Sequence, residues 1–130
     1  MSLAPSIKKI LVVDDDLTQL KLLEKSLTQN GFQVQTAQEA ADGLQFAMDH
    51  KPDLIILDVM MPIINGYNFC NLLKDEDETK HIPIIMVTSR DKQEDMDIGK
   101  EMGADDYLTK PVNIPILLTK VNELLKKSTR

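Results

Sequence analysis

Asp53-Leu54-Ile55-Ile56-Leu57-Asp58-Val59-Met60-Met61-Pro62 is the stretch on which the reading of this chain turns. Leu54 to Leu57 is an unbroken apolar run of strand length, the pattern of a strand buried on both faces. It ends on Asp58, and Pro62 then stops any ladder from continuing. A carboxylate therefore stands at the carboxyl end of a central strand, the edge where open parallel α/β sheets bind ligands. A plainer role also fits Asp58, that of a turn residue bonding its own backbone. The rest of the chain decides between the two.

The length, 130 residues, is that of one domain and is enough to bury a core without disulfides or metal. Apolar residues make up 42% and charged residues 28%, as in an ordinary globular protein. No apolar run approaches a membrane span and no signal-peptide pattern opens the chain. Cys70 is the single cysteine, so an internal disulfide is excluded, and it reads as a small apolar helix residue. A net charge of −6 argues against broad binding to a phosphate backbone. The expectation is a cytoplasmic domain with no membrane segment and no direct contact with nucleic acid.

Flanking the central strand, β-rich and helical segments alternate. Residues 1–6 form a loose lead-in, 7–127 the domain and 128–130 a tail. Ile7 to Val13 is a strand followed by Asp14, Asp15 and Asp16. Leu17, Leu20, Leu23 and Leu27 mark a helix that Asn30-Gly31 ends. Phe32 to Thr36 is a short strand, and Ala37 to Asp49 a helix with a small face of Ala40, Ala41 and Ala47. After Pro62, Tyr67 to Lys74 is helical, the four acids Asp75 to Glu78 are a solvated loop, and Ile84 to Val87 is a strand ending on Thr88 and Ser89. Lys92 to Met102 is a charged helix with a thin apolar side, and Asp106 to Leu108 a strand leading to Thr109-Lys110-Pro111. Leu117, Leu118, Val121, Leu124 and Leu125 stripe the last helix, with Pro115 in its first turn. Five strands alternating with five helices make βαβ units, a parallel sheet covered on both faces.

All strand C-termini of such a sheet share one edge. That edge collects Asp14 and Asp15, Asp58, Thr88 and Lys110. Crowded carboxylates need a counter-charge. A hard divalent cation supplies one; Mg²⁺ takes one or two carboxylates, a carbonyl, waters and a phosphate oxygen. Lys110 and Thr88 can hold the same anion, and an Asp can act as nucleophile to form an aspartyl phosphate.

Val12-Val13-Asp14-Asp15, Leu57 to Pro62, Val87-Thr88-Ser89 and Tyr107 to Pro111, in this order and spacing, resemble the receiver domain of two-component response regulators, as the chemotaxis regulators have it. The resemblance spans Ile7 to Lys127 and implies a flavodoxin-like, doubly wound five-stranded parallel sheet of order 2-1-3-4-5. It implies Asp58 as phosphoacceptor, phosphorylated by a phosphohistidine of a histidine kinase or histidine phosphotransfer protein. Mg²⁺ would be held by Asp15 and Asp58, by the Met60 carbonyl and by Asp14 through water. Thr88 and Lys110 would contact the phosphoryl group, and Lys110-Pro111 would be a cis peptide. Tyr107 would turn inward as Thr88 moves, switching a face built from the fourth helix, fifth strand and fifth helix. That face would signal to an output domain or downstream protein and could pair with a second copy. No enzymatic activity is implied beyond Mg-dependent self-phosphorylation and autodephosphorylation.

Simpler roles fit some of these residues: Asp16 and Ser89 as helix caps, Met60 and Met61 as loop packing, His50 and His81 as connection residues. Val112 stands where receivers often carry an aromatic, and Asn65 where an acid is common. Two other functions remain open: an aspartyl-phosphate phosphatase, and an interaction module with a vestigial site. The first wants a second acid two residues after the nucleophile, where this chain has Met60. A nucleotide-binding domain would need a Gly-rich loop after the first strand, which the sequence lacks.

Overall fold

The computed structural model describes residues 7–58, 66–88 and 104–128, with side chains for all of these except 66–68 and 128. Five strands form one parallel sheet: β1 (Lys9–Val13), β2 (Gln33–Ala37), β3 (Leu54–Asp58), β4 (Ile84–Thr88) and β5 (Asp106–Thr109), in the order β2-β1-β3-β4-β5. Every residue of β3 and of β4 is buried, as expected for central strands covered on both faces.

Side chains alternate along each strand and so feed two cores. Leu11, Val13, Ile55, Leu57, Ile84 and Met86 point to one face, where α2 (Ala40–His50) and α3 (Gly66–Lys74) add Ala47, Phe69 and Leu73. Ile10, Val12, Leu54, Ile56, Ile85 and Val87 point to the other, against α1 (Leu17–Gln29) and the C-terminal helix (Ile114–Ser128). This is the doubly wound arrangement, with four of the five expected helices among the described residues. The helix expected over Lys92 to Met102 lies outside them.

Local signals set most boundaries. Asp16 caps α1, its Oδ1 accepting from the amides of Thr18 (3.0 Å) and Gln19 (3.4 Å). Gly31, at φ +91°, turns the chain out of α1 so that the Phe32 amide reaches the Leu27 carbonyl. The second helix differs from the sequence reading. Ala37 closes β2, and the helix begins only at Ala40, after Glu39, which makes no side-chain cap bond. Its buried small residues are Ala40, Gly43 and Ala47, whereas Ala41 is exposed. A Cβ on Gly43 would stand 2.7 Å from Cγ2 of Val13, so only glycine lets α2 approach the end of β1 this closely. His50 ends α2 rather than lying in a connection, stacked on Phe46 one turn earlier at 4.6 Å between ring centroids. Cys70 is buried, and burial pushes its thiol up to about 11, leaving it unreactive near neutral pH.

Candidate functional site

The register of the sheet brings the expected residues together. Asp14 follows β1, Asp58 is the last residue of β3, Thr88 the last of β4, and Lys110 follows β5 directly. Pairing of Val13 with Leu57, Asp58 with Val87 and Thr88 with Thr109 aligns these ends across four strands. The backbone fixes them further: the Asp14 amide donates to the Ala37 carbonyl (3.1 Å) and the Lys110 amide to the Thr88 carbonyl (2.7 Å). The Lys110-Pro111 peptide bond is cis.

At the centre, the Lys110 ammonium lies 3.3 Å from Asp14 Oδ2 and 3.4 Å from Asp58 Oδ2. Asp14, Asp58 and Thr88 are 2%, 4% and 3% exposed, so these groups sit where charge is weakly screened. Asp15 is exposed, on the solvent side of the cluster. Each of Asp14, Asp15 and Asp58 offers a carboxylate oxygen within 4.8 Å of the other two.

Burial, and secondarily the charge of Asp58, raises the Asp14 carboxyl to about 6, although the Asp16 amide (2.9 Å) and Lys110 both favour its anion. Burial pulls the Lys110 ammonium down, but Asp58 and Asp14 outweigh it and its pKa ends raised. Lys110 is therefore a permanent cation at neutral pH. Among the described residues the cluster gathers three carboxylates and one ammonium, a deficit of positive charge. An oxygen-lined site with that deficit suits a hard divalent cation. Among the described residues, Asp14, Asp15 and Asp58 could hold one. Met60, expected to add a carbonyl, lies outside the described residues, as does Ser89.

Tyr107 is half-buried in β5, paired across the sheet with Met86 and packed on the core shared by α2 and α3. Its neighbour Asp106 has a role the sequence did not signal. Asp106 Oδ1 accepts from the Lys120 ammonium and from the Tyr107 amide, each at 2.8 Å, tying β5 to the C-terminal helix. Fourteen residues separate Asp106 from Lys120, and no local spacing rule connects a strand residue to a helix residue at that range.

Comparison with known proteins agrees with the geometry. Residues 10–122 match the model of the response regulator receiver domain family. The chain is 41% identical to protein PilH of Pseudomonas aeruginosa, covering 90% of this chain and 97% of PilH. It is 42% identical to response regulator PleD of Caulobacter vibrioides over 91% of this chain but 26% of PleD. The alkaline phosphatase synthesis transcriptional regulatory protein PhoP of Bacillus subtilis is 40% identical over 93% of this chain and 50% of PhoP. The chain thus spans about a quarter of one relative, half of another and nearly all of a third. Among solved structures, chemotaxis protein CheY4 of Vibrio cholerae superposes with a TM-score of 0.87 at 31% identity, covering 92% of this chain and 99% of that one. A CheY-like receiver domain protein of Methanospirillum hungatei gives 0.88 at 31%, over 95% and 97%. With the sheet order, the clustered acids and the family match in agreement, this chain belongs to the response regulator receiver domain family.

Proposed function

We propose that this receiver domain accepts a phosphoryl group on Asp58 and uses it to switch the surface formed by β5, the C-terminal helix and the segment over Lys92 to Met102. The observation that carries the reading is the Lys110 ammonium, 3.3 Å from Asp14 and 3.4 Å from Asp58 in a largely buried cluster at the carboxyl edge of the sheet.

Asp58 ends its strand with its carboxylate at the open edge, so an oxygen can attack phosphorus in line with a leaving group arriving from solvent. The P–O bond to Asp58 forms as the P–N bond to a phosphohistidine breaks, and the electron pair returns to the imidazole nitrogen. Lys110 then balances the equatorial oxygens of the transferring group, a role that fixed charge performs best where water is scarce. Thr88 presents its hydroxyl from the neighbouring strand end to the same oxygens. Bound beside Asp14, Asp15 and Asp58, Mg²⁺ would neutralise the negative charge that Lys110 leaves over and polarise the phosphoryl oxygens. Asp15 and Asp58 would hold it directly, Asp14 through water, and the Met60 carbonyl would complete the chain's share.

The phosphodonor would be a histidine kinase or a histidine phosphotransfer protein, and the readout an output domain or a separate downstream protein. Pairing of two copies through the switching surface is a further use of it. Turnover would be confined to the domain's own phosphorylation and dephosphorylation. The acidic net charge points away from nucleic acid as a direct partner, and the absence of a spanning helix among the described residues fits a cytoplasmic site of action.

Intact-mass measurement after incubation with acetyl phosphate and Mg²⁺ tests the reading. The expected result is a gain of one phosphoryl group, lost with a chelator and in Asp58→Asn. A folded wild-type protein that gains no mass would refute it and favour a module with a vestigial site.

A further inference from the structure

We propose that Gly43, in the first turns of α2, is a positioning residue for the divalent cation site, acting on Asp14 through Val13 and Ala37. The inference rests on the reading above, in which Asp14, Asp15 and Asp58 hold the cation. A side chain at position 43 would meet Val13 and Phe69, not an acid, so the glycine acts at one remove.

A closed circuit joins it to Asp14. The Gly43 amide donates to the Glu39 carbonyl (3.1 Å), and Glu39 follows Ala37 by two residues. The Ala37 carbonyl in turn accepts the Asp14 amide (3.1 Å). Asp14 follows Val13, whose two methyls lie against Gly43 and close the circuit. A Cβ on Gly43 would stand 2.7 Å from Val13 Cγ2, 3.2 Å from Val13 Cγ1 and 3.4 Å from Phe69 Cε2.

Carbon atoms sit comfortably at about 3.5–4.0 Å, so an added methyl forces a movement of roughly 1 Å. Val13 cannot swing aside. It is β-branched and stiff at χ1, fully buried, and flanked in the sheet by Ala37 and Leu57. If Val13 shifts, it carries Asp14 with it. If α2 backs away instead, it pulls through Glu39 on Ala37, whose carbonyl holds the Asp14 amide. Both ways of relieving the contact displace the same carboxylate. Asp58 and Lys110 stand outside the circuit, at the end of β3 and after β5. Residues that orient a metal ligand from behind change affinity about 10–100-fold when they are altered.

Calorimetric titration of the full chain with Mg²⁺, with circular dichroism melts alongside, tests the inference. Gly43→Ala should weaken the affinity about tenfold and leave the number of sites unchanged. A substitution that only destabilised the fold would do the reverse, lowering the number of sites and sparing the affinity of the folded molecules. Val13→Ala takes away the rest for Asp14 and should also weaken binding. The Val13→Ala/Gly43→Ala double variant sets a new methyl where the old ones were, and its affinity should return to within about threefold of the wild type. If Gly43→Ala alone does not fold, the double variant must still bind more tightly than Val13→Ala. Ala47→Gly, buried one turn further along α2, should lower the melt and leave the affinity unchanged. Equal affinity in wild type and Gly43→Ala, a double variant no tighter than the single ones, or the same weakening in Ala47→Gly would overturn the inference and leave the site reading intact. A wild type that binds no Mg²⁺ would overturn both.

Discussion

Replacing Asp14 by asparagine should stabilise the metal-free protein at neutral pH while removing its response to magnesium. The Asp14 carboxyl is raised from 3.8 to about 6, first by burial and then by Asp58. A folded-state value above the unfolded one means that the fold prefers the protonated acid. Below about pH 3.8 both states are protonated and the group leaves stability untouched. Between 3.8 and about 6 the fold must increasingly hold an anion it disfavours, and above that the loss is constant. Two pKa units correspond to about 3 kcal/mol. Asparagine has the same shape and keeps an oxygen for the Asp16 amide, but its NH₂ then takes the place of Oδ2 and faces the Lys110 ammonium, donor against donor, which takes back part of the gain. The net gain at about pH 7.5 should therefore fall between roughly 1 and 3 kcal/mol, and close to zero at about pH 4. Urea unfolding followed by circular dichroism, with a chelator present, reads both conditions. Adding Mg²⁺ should then raise the midpoint of the wild type, because a ligand bound only by the fold stabilises it, and leave Asp14→Asn unmoved. Loss of stability at neutral pH, or the same gain at both pH values, would refute the reasoning.

Other perturbations read other parts of the structure. Lys110→Gln should abolish phosphoryl gain from acetyl phosphate and raise the Asp14 carboxyl further, seen as a higher midpoint in an NMR titration of its side chain. Affinity for a divalent cation should fall about tenfold per pH unit below the Asp14 value near 6, since the cation must displace that proton; calorimetric titration across pH 5 to 7.5 measures it. Gly43→Ala sets a helix-propensity gain of about 1 kcal/mol against overpacking of about 1–3 kcal/mol on Val13, so a net loss is expected in chemical denaturation. Asp16→Ala removes the α1 cap and should lower stability by about 1 kcal/mol.

The parts of this molecule that were legible in the sequence are those written in local pattern. The run Leu54 to Leu57 reads as a doubly covered strand because no polar residue interrupts it, and β3 is buried throughout. Asp14, Asp58, Thr88 and Lys110 can be grouped from sequence because parallel strands place their ends on one edge, which needs no knowledge of side-chain conformation. The start of α2 is not legible locally, because Ala37 favours helix while its strand role comes from pairing with Val13. Gly43 is silent in the sequence because a glycine inside a helical pattern carries no hydrophobic signal, although its lack of a side chain is what lets the helix seat on Val13. The Asp106–Lys120 pair depends on how elements meet in space, and single-sequence spacing does not encode that.

The most direct test is a crystal structure of the chain with Mg²⁺ and beryllium fluoride, a mimic of the phosphoryl group. The account predicts beryllium bonded to the Asp58 carboxylate, fluorides contacted by the Lys110 ammonium and the Thr88 hydroxyl, and the metal beside Asp14 and Asp15. Beryllium fluoride bound elsewhere, or a metal that leaves Asp14, Asp15 and Asp58 untouched, would contradict it.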